Sequence, residues 1–167
     1  MSESHRQSSY AEAAREITAL LEDITDPVCA MSTCAAVLHQ RLPQASWVGF
    51  YRVVAPGLLR VGPYQGPIGC LEIPFDRGVC GAAARERRTQ LVPDVHAFPG
   101  HIACDAAARS EIVVPVVDAA GTLIAVLDLD SHEPSAFDEI DRVGLERIVE
   151  VLRPALGAPA ASLVHSD

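Results

Sequence analysis

The sequence predicts an α+β domain, an antiparallel β-sheet flanked by N-terminal and C-terminal helices. Three observations carry that prediction. Apolar residues recur at helical spacing over the first forty residues and again after residue 138. The middle is rich in Val, Ile and Leu and is broken by the strings Ala55-Pro56-Gly57 and Asp118-Ala119-Ala120-Gly121, which read as hairpins. The 167 residues are 49% hydrophobic and 21% charged, enough to bury a core without disulfides or a metal. Residues 10–156 are expected to form a single domain, with residues 1–9 and 157–167 as flexible tails.

Ala13, Ile17, Leu20, Leu21 and Ile24 place a first helix from Tyr10 to Asp23. Asp26-Pro27 then reads as a cap and a first-turn proline. The helix that follows presents Val28, Met31, Ala35, Leu38 and Leu42. Cys29 and Cys34 lie in it and are expected to be buried as small hydrophobes. Strands are expected over Ser46–Val54, Leu58–Gly62 and Cys70–Pro74, then a helix over Gly78–Arg88 and an extended piece at Leu91–Pro93. Residues 94–110 show no periodicity, and a connection of that length inside a compact domain is usually functional. Glu111–Val117 and Thr122–Asp130 read as strong strands. Ser135, with Asp138 three residues on, resembles a capping box opening a last helix that ends near Pro154. All the helices are expected on one face of the sheet.

Charge and termini exclude several functions. Net charge is −9, and all 13 basic residues are Arg. That balance argues against nucleic acid or an anionic membrane as partner. Neither a secretory apolar stretch of about 7–15 residues nor a span of about 20 is present, so a cytoplasmic location is expected. Thiols there stay reduced, and cysteines are more often catalytic, redox-active or metal-binding than structural. Five cysteines therefore need a reason.

The chemistry-bearing residues fall between 47 and 130. Cys70, Cys80 and Cys104 are flanked by glycine or small residues, which leaves sulfur approachable. Cys80 falls near a helix start, where partial positive charge favours a thiolate. Asp128 and Asp130, two apart on an otherwise apolar strand, point to one face. Such a pair is costly unless a cation or a retained proton sits between them. Glu111 opens the neighbouring strand and is positioned to join them. A solvated sheet edge would also explain the pair. His101, Cys104 and Asp105 offer only a weak match to a zinc site, and His96 adds no recognised spacing. The Gly strings fit no phosphate-binding motif.

Together, WVGFY at 47–51, GPYQG at 62–66, GVCG at 78–81, VPDVHAFPGHIACD at 92–105, RSEIVVP at 109–115 and VLDLDS at 126–131 closely resemble the free methionine-(R)-sulfoxide reductases. These are a catalytic branch of the GAF fold, and the resemblance spans about residues 10 to 155. It implies a GAF-like sheet and reduction of free methionine-(R)-sulfoxide without metal or organic cofactor. It implies Cys104 as nucleophile, Cys70 as the cysteine that closes a disulfide onto it, and Cys80 as a third thiol, with the choice between Cys70 and Cys80 left open. Glu111, Asp128 and Asp130 match the family's pocket carboxylates, and Trp47 and Tyr51 its substrate-side aromatics. Thioredoxin as reductant and a homodimer are further implications. Tyr64 stands where Phe is usual, Ala108 where Ser is usual, and His132 follows DLDS without an evident role.

Overall fold

The computed structural model describes residues 3–157. The expected C-terminal tail lies, from residue 158 onward, outside the described residues. Helices α1 (Glu3–Leu20) and α2 (Pro27–Arg41) precede strands β1 (Trp47–Ala55), β2 (Leu58–Gln65) and β3 (Glu72–Pro74). Helix α3 (Gly78–Glu86), β4 (Gln90–Val92), β5 (Ser110–Val117), β6 (Leu123–Ser131) and α4 (Glu139–Leu152) follow. The six strands form one antiparallel sheet in the order β3-β2-β1-β6-β5-β4. Among the described residues no helix is long and apolar enough to cross a membrane.

Strand alternation divides the interior into two layers. Val48, Phe50, Ile112, Val114, Leu127 and Leu129 face one side and meet α1, α2 and α4 in the larger cluster. Trp47, Tyr51, Val113 and Val126 face the other and meet Val79, Cys80 and Ala83 of α3. The expectation that every helix shares one face is thereby corrected. Helix α3 caps the opposite face, since its small residues allow a close approach. A Cβ on Gly81 would sit 2.6 Å from the Pro74 carbonyl oxygen, and Gly78 opens the helix at φ +72°. That value lies in the left-handed region that glycine enters without strain.

Several helix ends are held by side chains. Asp26 accepts from the Cys29 N–H at 2.8 Å, and Pro27 occupies the first turn, as the sequence predicts. Helix α1 starts seven residues earlier than expected, so 3–9 is helix rather than tail. Its Arg6 is held by Asp138 at 2.6 Å and Asp141 at 3.0 Å across the molecule. The capping box of α4 is formed by Asp138 and Asp141, not by Ser135, whose N–H instead bonds the Pro93 carbonyl. Cys34 is buried as predicted, but Cys29 is exposed, because it shares the solvent side of α2 with Val28. Leu20 is likewise exposed.

The joint between α1 and α4 rests on one absent side chain. Tyr10 donates to the fully buried Asp141 at 2.9 Å, and its ring lies over Gly144. A Cβ there would come 2.6 Å from Tyr10 Cδ1. Gly144→Ala should therefore destabilise the fold by about 1–3 kcal/mol through overpacking, despite its better helix propensity. Urea denaturation of both proteins with the disulfide state held fixed checks this, and equal midpoints would contradict the packing account.

Candidate active site

The floor of the site is built by register. Asp128 and Asp130 leave β6 on the α3 face of the sheet. Asp130 is paired with Trp47 of β1 on one side and Glu111 of β5 on the other. Asp128 is paired with Gly49 and Val113. Because β6 lies inside the sheet, the solvated-edge explanation of the two aspartates is excluded. Glu111 and Asp128 are buried, and none of the three acids has an Arg or His ion-pair partner among the described residues.

Electrostatics follow from that placement. Burial, then repulsion from Asp128 and Asp130, holds the Glu111 carboxyl far above its ordinary range. Asp130 is raised by burial and by Asp128. Burial pushes Asp128 up to about 7, while the neighbouring Cys80 and Glu111 donor groups pull it down. The cluster therefore retains protons at neutral pH that ordinary carboxylates would lose.

One wall is aromatic. Trp47 stacks on Tyr51 at a 5.6 Å centroid separation and on Tyr64 at 5.1 Å. Its Nε1 donates to the Pro67 carbonyl at 3.0 Å, which fixes the indole. Gly49 makes the stack possible, since a Cβ there would lie 2.6 Å from Trp47 Cη2. The Tyr at position 64 thus keeps the ring that a Phe would supply. Burial, followed by the acids around it, keeps the Tyr51 hydroxyl protonated.

The opposite wall carries sulfur. Cys70 and Cys104 form a disulfide with their Cα atoms 5.1 Å apart, bridging the β2–β3 connection and the 94–109 loop. That loop is held by local bonds. Its Gly100 carbonyl accepts from Gly78 N–H at 2.9 Å, and Asp105 accepts from Ala107 N–H at 2.8 Å. Asp105 also meets His132 Nε2 at 2.8 Å, which accounts for a residue without an evident role in the sequence. The Ala107 N–H first, and His132 second, hold the Asp105 carboxyl below its usual range.

Cys80 remains a free thiol and is buried. It does sit at the start of α3, yet the expected thiolate is not favoured there. Burial, then Asp128, Glu111 and Asp130, push its pKa far upward. The weak zinc set is not assembled either, because the Cys104 sulfur is bound to Cys70.

Trp47, Tyr51, Cys80, Cys104, Glu111, Asp128 and Asp130 line one cleft, and Cys70 is joined to it through its disulfide with Cys104. A GAF domain family model matches residues 7–156. The free methionine-R-sulfoxide reductase of Escherichia coli is 42% identical over 147 residues, 88% of this chain and 88% of that protein. The chain belongs to the free methionine-(R)-sulfoxide reductase family.

Solved structures of free methionine-R-sulfoxide reductases agree. That of the Neisseria meningitidis reductase in complex with its substrate superposes with a TM-score of 0.83 at 42% identity, covering 88% of this chain and 87% of that one. The reduced Staphylococcus aureus enzyme gives 0.84 at 42% identity, with 89% and 95% covered. Within this reductase-family fold, sequence reasoning missed the part of the lining that comes from Pro67, Ile68, Gly69 and Ile102. Pro67 contributes a backbone oxygen and Gly69 an absence, since a Cβ there would approach the Tyr51 hydroxyl at 2.9 Å. Neither leaves a side-chain signature to find.

Proposed function

We propose that this protein reduces free L-methionine-(R)-sulfoxide to methionine, with Cys104 as nucleophile, Cys70 as resolving cysteine and a thioredoxin-type dithiol protein as reductant. The observation that carries the reading is a Cys70–Cys104 disulfide beside a cleft floored by three acids without a paired cation. A free amino acid brings an ammonium group that such a floor receives, whereas a methionine within a peptide does not.

The Cys104 thiolate attacks the sulfoxide sulfur while the protonated Glu111 carboxyl donates to the departing oxygen. The oxygen leaves as water while a sulfur–sulfur bond joins Cys104 to the substrate, and attack of that water on the Cys104 sulfur breaks this bond, so that one oxygen atom ends on Cys104 and one proton is released. The sulfoxide gains two electrons and becomes a thioether, and Cys104 loses two and becomes a sulfenic acid. The Cys70 thiol then displaces that hydroxyl as water and closes the disulfide. The reductant restores both thiols by exchange. Cys80, held as a thiol by burial and by its acidic neighbours, is poorly suited to the resolving role. Trp47 and Tyr51 enclose the thioether end of the substrate.

The test is NADPH consumption with thioredoxin and thioredoxin reductase. Free L-methionine-(R)-sulfoxide should be turned over, and its N-acetyl derivative at least about a hundredfold more slowly, because the acids then lack their cationic partner. Absence of turnover with the free sulfoxide, or equal rates for the two, would overturn the proposal.

A further inference from the structure

Cys80 takes no part in the redox steps above, yet it is enclosed by acids. Its S–H points at Glu111 Oε1 across 3.9 Å, and its sulfur, one Glu111 oxygen and one Asp128 oxygen all lie within 4.8 Å of one another. A second observation is independent of that spacing. Asp128 Oδ1, on a residue only 4% exposed, is buried without a hydrogen-bond partner.

We propose that Cys80, Glu111 and Asp128 form a binding site for a thiophilic divalent cation, Zn²⁺ or Cd²⁺, whose occupancy excludes the substrate. Zinc bonds of about 2.3 Å to sulfur and about 2.0 Å to oxygen place tetrahedral ligands roughly 3.5 Å apart, within a few tenths of the observed sulfur–oxygen separation. A thiolate donor selects these ions over Mg²⁺ and Ca²⁺, which require more oxygen ligands. On binding, the Cys80 S–H and Glu111 O–H bonds break, both protons leave to solvent and sulfur–metal and oxygen–metal bonds form, with no change of oxidation state. The fourth position faces the cleft, where water or Asp130 completes the set. Exclusion of substrate rests on the reductase reading, since ion and ammonium would then compete for the same acids.

Cd²⁺ titration tests the site through the sulfur-to-cadmium charge-transfer absorption. The protein carries Cys29→Ser, which removes the exposed thiol, and keeps the Cys70–Cys104 disulfide oxidised. The expected result is saturation at one ion per chain, loss of the band in Cys80→Ser, and at least tenfold weaker binding in Asp128→Asn. Added L-methionine sulfoxide should weaken Cd²⁺ binding in proportion to its concentration. No band, a band that survives Cys80→Ser, or unchanged affinity in Asp128→Asn would overturn the site. Should circular dichroism show Cys80→Ser unfolded, Asp128→Asn decides alone. Metal-free turnover is measured separately. Turnover without the band removes the ion site and leaves the reductase, whereas the band without turnover does the reverse.

Discussion

Cys104→Ser is expected to lower turnover by at least about a thousandfold, because a serine hydroxyl at neutral pH is a far weaker nucleophile toward sulfur. Cys70→Ser should fail differently. Cys104 remains able to take the oxygen, so one methionine per chain should form at the parental rate. Cycling with thioredoxin should then fall steeply, because the sulfenic acid has no neighbouring thiol to condense with. Rapid-quench measurement of methionine beside steady-state NADPH loss separates the two variants. Full thioredoxin cycling in Cys70→Ser would move the resolving role to Cys80. Undiminished turnover in Cys104→Ser would remove the mechanism altogether.

The second large effect concerns Asp128. Asp128→Asn keeps shape and volume but removes the negative charge that the proposed substrate ammonium would meet beside Glu111 and Cys80. Turnover at low substrate should fall roughly a hundredfold, the worth of one charge-assisted hydrogen bond. Stability should move the opposite way. The Asp128 carboxyl titrates near 7 in the fold, above its ordinary value. Below about pH 4 it is protonated in both states and costs nothing. Between there and about pH 7 the unfolded chain releases the proton and the native state keeps it, so native stability falls as pH rises. Above pH 7 the penalty is complete. Asp128→Asn should therefore exceed the parent in stability at pH 8, with the difference closing toward pH 4. Urea denaturation of the oxidised proteins at both pH values measures it, and a variant less stable than the parent at pH 8 would contradict the account.

Local chemistry was legible in the residues, and distant pairing was not. Asp26-Pro27 announced its helix because the cap bond is made three residues away. Asp128 and Asp130 announced a shared face because strand alternation is intrinsic to the backbone. Glu3–Ser9 gave no such signal, because Arg6 holds that turn through acids more than 130 residues distant. Ser135 looked like a cap, yet the chain turns there to reach Pro93, and Asp138 caps instead. Periodicity shows that Gly78–Glu86 is helical without showing which side of the sheet it covers. The Cys80 environment depends wholly on that side. Nor does a spacing of 34 residues choose Cys70 over Cys80 as the partner of Cys104; the loop path does.

The position of β6 between β1 and β5 has a consequence for how the cleft ages with heat or denaturant. Amides of Leu127 and Leu129 are shielded by ladders on both sides, so their hydrogen exchange should require global opening. Asp128 and Asp130 hang from that same strand and Glu111 from its neighbour β5, so the acid floor should persist until the whole domain unfolds. The sulfur wall is carried by connections outside the ladders, and once reduced it is held only by loop hydrogen bonds such as that from Gly78 N–H to the Gly100 carbonyl. Catalytic competence should then disappear at a lower temperature than the fold itself, with the oxidised protein holding its geometry longer than the reduced one.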